Sequence, residues 1–155
     1  MPIVEEKFLK AIRAGIICGI PPALAFVIFL STIFPVFNFY VFPLFFVFMF
    51  IHASAIWGSV ILAIHYSRPL LHNFNDVVLV SGISGASNGI TFTSIIFIPI
   101  IMWISLGILH IGVELFSGAF LFFMVSCIFA VSLINALTAA AIGAICKIAK
   151  IVKVE

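Results

Sequence analysis

Two asparagines and a histidine interrupt a chain that is otherwise almost entirely apolar: His52, Asn88 and Asn135, with Thr91 and Thr138 three residues beyond the asparagines. Amides and neutral imidazoles both donate and accept hydrogen bonds, so at a common depth in hydrocarbon they can tie helices together or grip a polar solute. Counted from their cytoplasmic boundaries at about 1.5 Å per residue, Asn88 and Asn135 each lie roughly 11 residues up a helix, close to the bilayer midplane. Ser84, Asn88 and Thr91 share one helix face, Asn135 and Thr138 share another, and His52 enters from a different segment somewhat nearer the outside. Interhelical bonding, at about 0.6–2 kcal/mol per contact, is the preferred reading. A substrate or ion site between two halves of the molecule is the alternative.

Other chemistries find little to work with. Haem would need paired histidines at matched depth, and only His52 is clearly inside an apolar run, while His65, His72 and His110 sit near boundaries. No cofactor is expected, and no metal. Glu114, four residues after His110, lies too far toward the outer turn to serve as the embedded carboxylate of a proton-coupled antiporter. There is no HExxH, no Ser-His-Asp arrangement and no glycine-rich phosphate loop, which argues against the common hydrolase and protease chemistries and leaves a lipid-modifying or redox enzyme as a third reading. Cys18, Cys127 and Cys146 fit neither a metal knuckle nor a CxxC pair and read as free buried thiols, with Cys146 placed where acylation is conceivable.

Small residues recur at helical spacing. Gly15 and Gly19, then Gly82, Gly85 and Gly89, then Ala136, Ala140, Gly143 and Ala144 clear side chains from one face each and let a second backbone approach. The Gly15/Gly19 and Gly85/Gly89 segments resemble one another, as do Ala55/Gly58 and Ala140/Gly143, which suggests two pseudo-repeated helical hairpins.

The elements that must position these residues follow from composition. With 65% hydrophobic and 8% charged residues over 155 positions, the chain lies far from soluble usage, where about a quarter of residues are charged. Spans are expected at approximately 14–34, 44–66, 78–104 and 118–146, each near the 20 or so apolar residues a bilayer requires. The fold expected is an all-α integral membrane protein, a bundle of four transmembrane helices forming a single membrane domain over 1–155. Residues 77–113 would reach about 55 Å as one helix, too long for a core of about 30 Å, so Pro99 is expected to kink it, Trp103 to anchor it and residues 107–117 to turn it. Pro21 and Pro22 argue that the first run is not a cleaved leader, since they would interrupt its apolar core. Between the second and third spans, Asn75 or Asp76 is expected to cap the third helix.

Charge fixes an expected orientation. Lys7, Lys10 and Arg13, then Arg68, then Lys147, Lys150 and Lys153 all fall on one side of such a bundle, which places both termini in the cytoplasm of a cell-membrane protein. A net charge of +2 spread over short flanks gives no footprint for nucleic acid. Expected partners are the lipid bilayer and either itself or other membrane subunits. The function expected first is a scaffold or accessory subunit associating through its glycine faces. The alternative is a transporter or channel for a small or hydrophobic solute, using the polar midplane residues.

Overall fold

A computed structural model describes the backbone of residues 3–33, 41–105 and 118–149 and, within these, the side chains of 5–29, 47–99, 101 and 122–149. Every regular element in it is helical: α1 (Ile3–Ile33), α2 (Val41–Ser67), α3 (Phe74–Ser105) and α4 (Gly118–Ile148), with a single 3₁₀ turn, Arg68–Leu70, after α2. Backbone groups in an apolar setting must bond within their own segment, so the long Ile-, Phe- and Val-rich runs form helices despite their β-branched content. α1, α2 and α4 are long and apolar enough to cross a membrane, with mean hydropathies of 2.0, 2.1 and 2.1 over 5–29, 47–70 and 122–148. Among the described residues α3 does not reach the hydropathy of the other three. Its glycines, serines, threonines and Asn88 lower its average.

The prolines do not end helices. α1 runs unbroken through Pro21 and Pro22, and α3 continues past Pro99 to Ser105. Each proline removes one backbone donor, a loss that helices in apolar surroundings tolerate when neighbours re-satisfy the freed carbonyl. The first run thus forms one continuous helix through residues 21–22, as the span expected at 14–34 requires. The turn expected over 107–117, with His110 and Glu114, lies outside the described residues, as does the side chain of Trp103.

Contacts give the helices their directions. Lys7 meets Asp76 and Gly15 meets Ser84, so α1 and α3 run the same way; Ser59 meets Ser84 and His52 meets Phe92, so α2 runs against α3. Neighbours in sequence are antiparallel, as Gly85 against Asn135 and Gly89 against Ser132 show for α3 and α4, which leaves α2 parallel to α4. α3 packs extensively on α1 and α4, and α2 lies on α1 and α3 with a smaller contact to α4. The core combines small residues, Ala11, Ala14, Ala63 and Ala139, with Val60, Val77 and Val80 and the larger Ile56, Ile64, Leu71 and Ile142.

One end of the bundle is closed by a polar clamp. Asn73 caps α3, its Oδ1 accepting the Asp76 N–H at 2.8 Å, while Asp76 Oδ2 accepts the His72 N–H at 3.1 Å. The cap is thus Asn73, and Asp76 is its partner in the first turn, a reciprocal arrangement that satisfies donors on both sides of the helix start. Lys7 of α1 donates to the other oxygen of Asp76, and Ser67 at the end of α2 donates to the Lys7 carbonyl at 3.4 Å. Hydrogen bonding from Lys7, then from the His72 N–H, holds the Asp76 carboxyl below its ordinary pKa. A carboxyl depressed on folding stabilises the fold above its unfolded pKa, and that contribution disappears as pH falls through the lowered value. Acid titration of unfolding in detergent should accordingly show a loss of stability across the acidic carboxylate range that Asp76→Asn reduces. Identical acid profiles for the two proteins would remove the clamp from the account.

Candidate functional site

The glycines decide how close α3 comes to its neighbours. A methyl group at Gly15 would strike the Ser84 carbonyl oxygen and lie 2.7 Å from Ser87 Cβ; one at Gly19 would lie 2.9 Å from the Asn88 oxygen. On the other side, a methyl at Gly85 would strike the Asn135 carbonyl and lie 2.5 Å from Ala139 Cβ, and one at Gly89 would lie 2.7 Å from Ser132 Cα. Gly143 of α4 sits against Ser81. Backbone therefore meets backbone along both seams, α1 on α3 and α3 on α4. Gly82 is different: its added methyl would make ordinary contact, 3.6 Å from Ala140 Cβ.

Those seams use the two similar glycine pairs differently. Gly15 and Gly19 seat α1 on α3, whereas Gly85 and Gly89 seat α3 on α4. A two-fold axis relating the hairpins would have placed the pairs in equivalent contacts. In this bundle the likeness between the segments is one of sequence and close packing, not of matched partners.

Between α2, α3 and α4 the close approach brings the polar residues together. Asn135 Nδ2 donates to Asn88 Oδ1 at 3.3 Å and stands 3.2 Å from His52 Nε2. Asn88 is fully buried and Asn135 is 3% exposed. The His52 ring stacks on Phe92 of α3, with centroids 4.0 Å apart, under an aromatic layer in which Phe26 of α1 contacts Phe48 of α2 and Phe92. Below the cluster, Ser84 Oγ donates to the Ser59 carbonyl of α2 at 3.0 Å.

Two of the expected site residues lie elsewhere. Thr91 faces α1, its Cβ 3.0 Å from where a methyl on Gly19 would be. Thr138 is exposed on the outside of α4. The register explains this: three residues advance a helix by about 300°, so a side chain that shares a broad face with an asparagine can still point past the helix that the asparagine meets. Residues that the sequence did not single out also line the interior, namely Ser59, which anchors Ser84, and Ser132, which lies against Gly89. Buried hydroxyls that bond their own helix leave no other signal; Thr93 donates to the Gly89 carbonyl and Ser132 to the Ile128 carbonyl, both at 2.6 Å.

Three buried polar atoms have no protein partner among the described residues: His52 Nδ1, Asn88 Nδ2 and Ser81 Oγ. Each such group costs about 1–3 kcal/mol if nothing bonds it. Two of the three belong to the His52–Asn88–Asn135 cluster. Among the described residues no group of three His, Cys, Asp or Glu side chains is arranged to hold a metal. Comparisons with protein families, with curated proteins and with solved structures find no match to the chain.

Proposed function

We propose that this chain is a four-span membrane protein, with both termini cytoplasmic, whose α2–α3–α4 interior receives a small solute. The fourth span is α3. Its large exposed side chains beyond the first turn, Leu79, Ile90 and Ile98, are apolar, while Ser81, Ser84, Asn88 and Thr93 are buried. A helix surrounded by other helices shows lipid only its outer stripe, so average hydropathy understates its fitness to cross. The described cations Lys7, Lys10, Arg13, Arg68 and Lys147 belong to the same end of the bundle, which supports the orientation through the positive-inside rule.

The observation that carries the solute reading is the pair of buried nitrogens, on His52 and Asn88, without a protein partner. Polar groups inside a membrane bundle that are not spent on packing mark pathways and binding sites. With Cys18, Cys127 and Cys146 replaced, cysteines introduced at His52 and Asn88 should react with membrane-impermeant thiol reagents in sealed vesicles. A cysteine at Thr138, on the lipid side, should remain unreactive. Complete protection of the two interior positions in a protein with normal helix content would sink the reading.

A scaffold or accessory subunit is the second reading, favoured by the long outer face of α4, where Phe122, Phe129, Leu133, Leu137 and Ile145 are exposed. Association would then pass through these large side chains, because the glycine faces are occupied within the chain. Native mass spectrometry from gentle detergent separates the readings: a persistent oligomer or heteromeric complex favours the scaffold, and a monomer counts against it.

A further inference from the structure

We infer that the His52–Asn88–Asn135 cluster recognises a neutral ligand presenting a hydrogen-bond acceptor, a step that rests on the interior-site reading above. One nitrogen sets the polarity of the whole cluster. Asn135 Nδ2 lies within bonding distance of both His52 Nε2 and Asn88 Oδ1, and an amide nitrogen only donates, so one of its hydrogens goes to each. His52 Nε2 is then the acceptor, and the proton of the neutral ring resides on Nδ1. Nδ1 is an N–H without a protein partner, and the Asn88 amide nitrogen is a second. Both unpartnered groups of the cluster are donors.

That polarity excludes as much as it admits. A ligand that only donates, such as an alkylammonium ion, meets no free acceptor on either group. Charge is excluded on separate grounds: the ring contacts Phe92 and Asn135, both neutral, and the Lys7–Asp76 ion pair sits at the end of the bundle. An ion at the cluster would thus be desolvated without a counter-charge, which is strongly unfavourable. Size is limited by Phe92 stacked on one side of the ring and by the glycine seam that holds α3 on the α4 backbone. The group that fits these constraints is a single oxygen, either of water or of a carbonyl-bearing solute.

The ring tautomer tests the inference. In lipid nanodiscs, with histidine and asparagine labelled with nitrogen-15 and His52 assigned by the signals lost in His52→Gln, the imidazole should carry its proton on Nδ1 at neutral pH. The Asn88 side-chain amide should exchange magnetisation with water. Acetone, which accepts and cannot donate, distinguishes the two sources: displacement of the water signal with shifts at Asn88 and His52 identifies a carbonyl ligand, and persistence of the water signal identifies water. An Nε2-protonated ring, or shifts produced by guanidinium and not by acetone, would show the cluster reversed and overturn the inference. Its failure is separable from that of the solute reading. A Nδ1-protonated ring in a protein whose interior cysteines are fully protected retains the acceptor inference, with water as ligand, and discards the solute. Reactive interior cysteines beside an Nε2-protonated ring do the opposite.

Discussion

Replacing Gly85 by alanine should destabilise the bundle by about 1–3 kcal/mol, the usual penalty for forcing an extra carbon into a packed seam, while the same change three residues earlier, at Gly82, should stabilise it by about 0.5–1 kcal/mol. Both positions are helical, so both gain from the lower conformational entropy of alanine in the unfolded chain. Only the surroundings differ. The new carbon at Gly85 meets the Asn135 carbonyl and the Ala139 methyl, and backbone cannot swing aside as a flexible side chain can. At Gly82 the nearest atom is the Ala140 methyl, 3.6 Å away. Reversible unfolding in mixed micelles, followed by circular dichroism, gives both values on one scale. Equal effects at the two sites would mean that α3 and α4 do not approach as closely as described.

That contrast marks the limit of what spacing alone conveys. Gly82, Gly85 and Gly89 look alike in the sequence, each a small residue at helical interval from the next, yet one has room for a methyl and two do not. Periodicity locates a stripe, but the depth of contact along it depends on where the partner helix crosses. The same limit applies to the polar residues. Equal depth brings Asn88 to Asn135, because depth follows from counting at about 1.5 Å per residue. Angular position does not follow so simply, and so Thr91 turns toward α1 and Thr138 toward the outside.

Hydropathy shows the opposite strength and weakness. Run length marks all four helices, but among the described residues mean hydropathy selects only α1, α2 and α4, because the serines and asparagine that the neighbours of α3 bury lower its average. The clamp at the end of the bundle was not legible at all. Lys7 and Asp76 are 69 residues apart, and a lysine grouped with Lys10 and Arg13 before an apolar run reads first as an orientation signal. Only the parallel course of α1 and α3 brings the two charges together.

The second large effect is expected at Asn135, where a leucine of the same branched shape should cost about 2–4 kcal/mol if each of its two abandoned partners bears a penalty of about 1–2 kcal/mol. The lower end is favoured for a membrane bundle, since the unfolded chain in lipid also finds partners for such groups. Asn135→Leu leaves both His52 Nε2 and Asn88 Oδ1 without the amide that served them. Asn88→Leu removes one of those bonds and one unpartnered nitrogen together, so it should cost less. The double variant is the informative one. With Asn88 already leucine, the second change no longer abandons its oxygen, and the combined loss should fall short of the sum by about 0.5–3 kcal/mol. Unfolding of the wild type, both single variants and the double variant under one set of micelle conditions closes the cycle. Strict additivity would show that the two asparagines act independently, and the hydrogen bond on which the cluster's polarity depends would have to be given up.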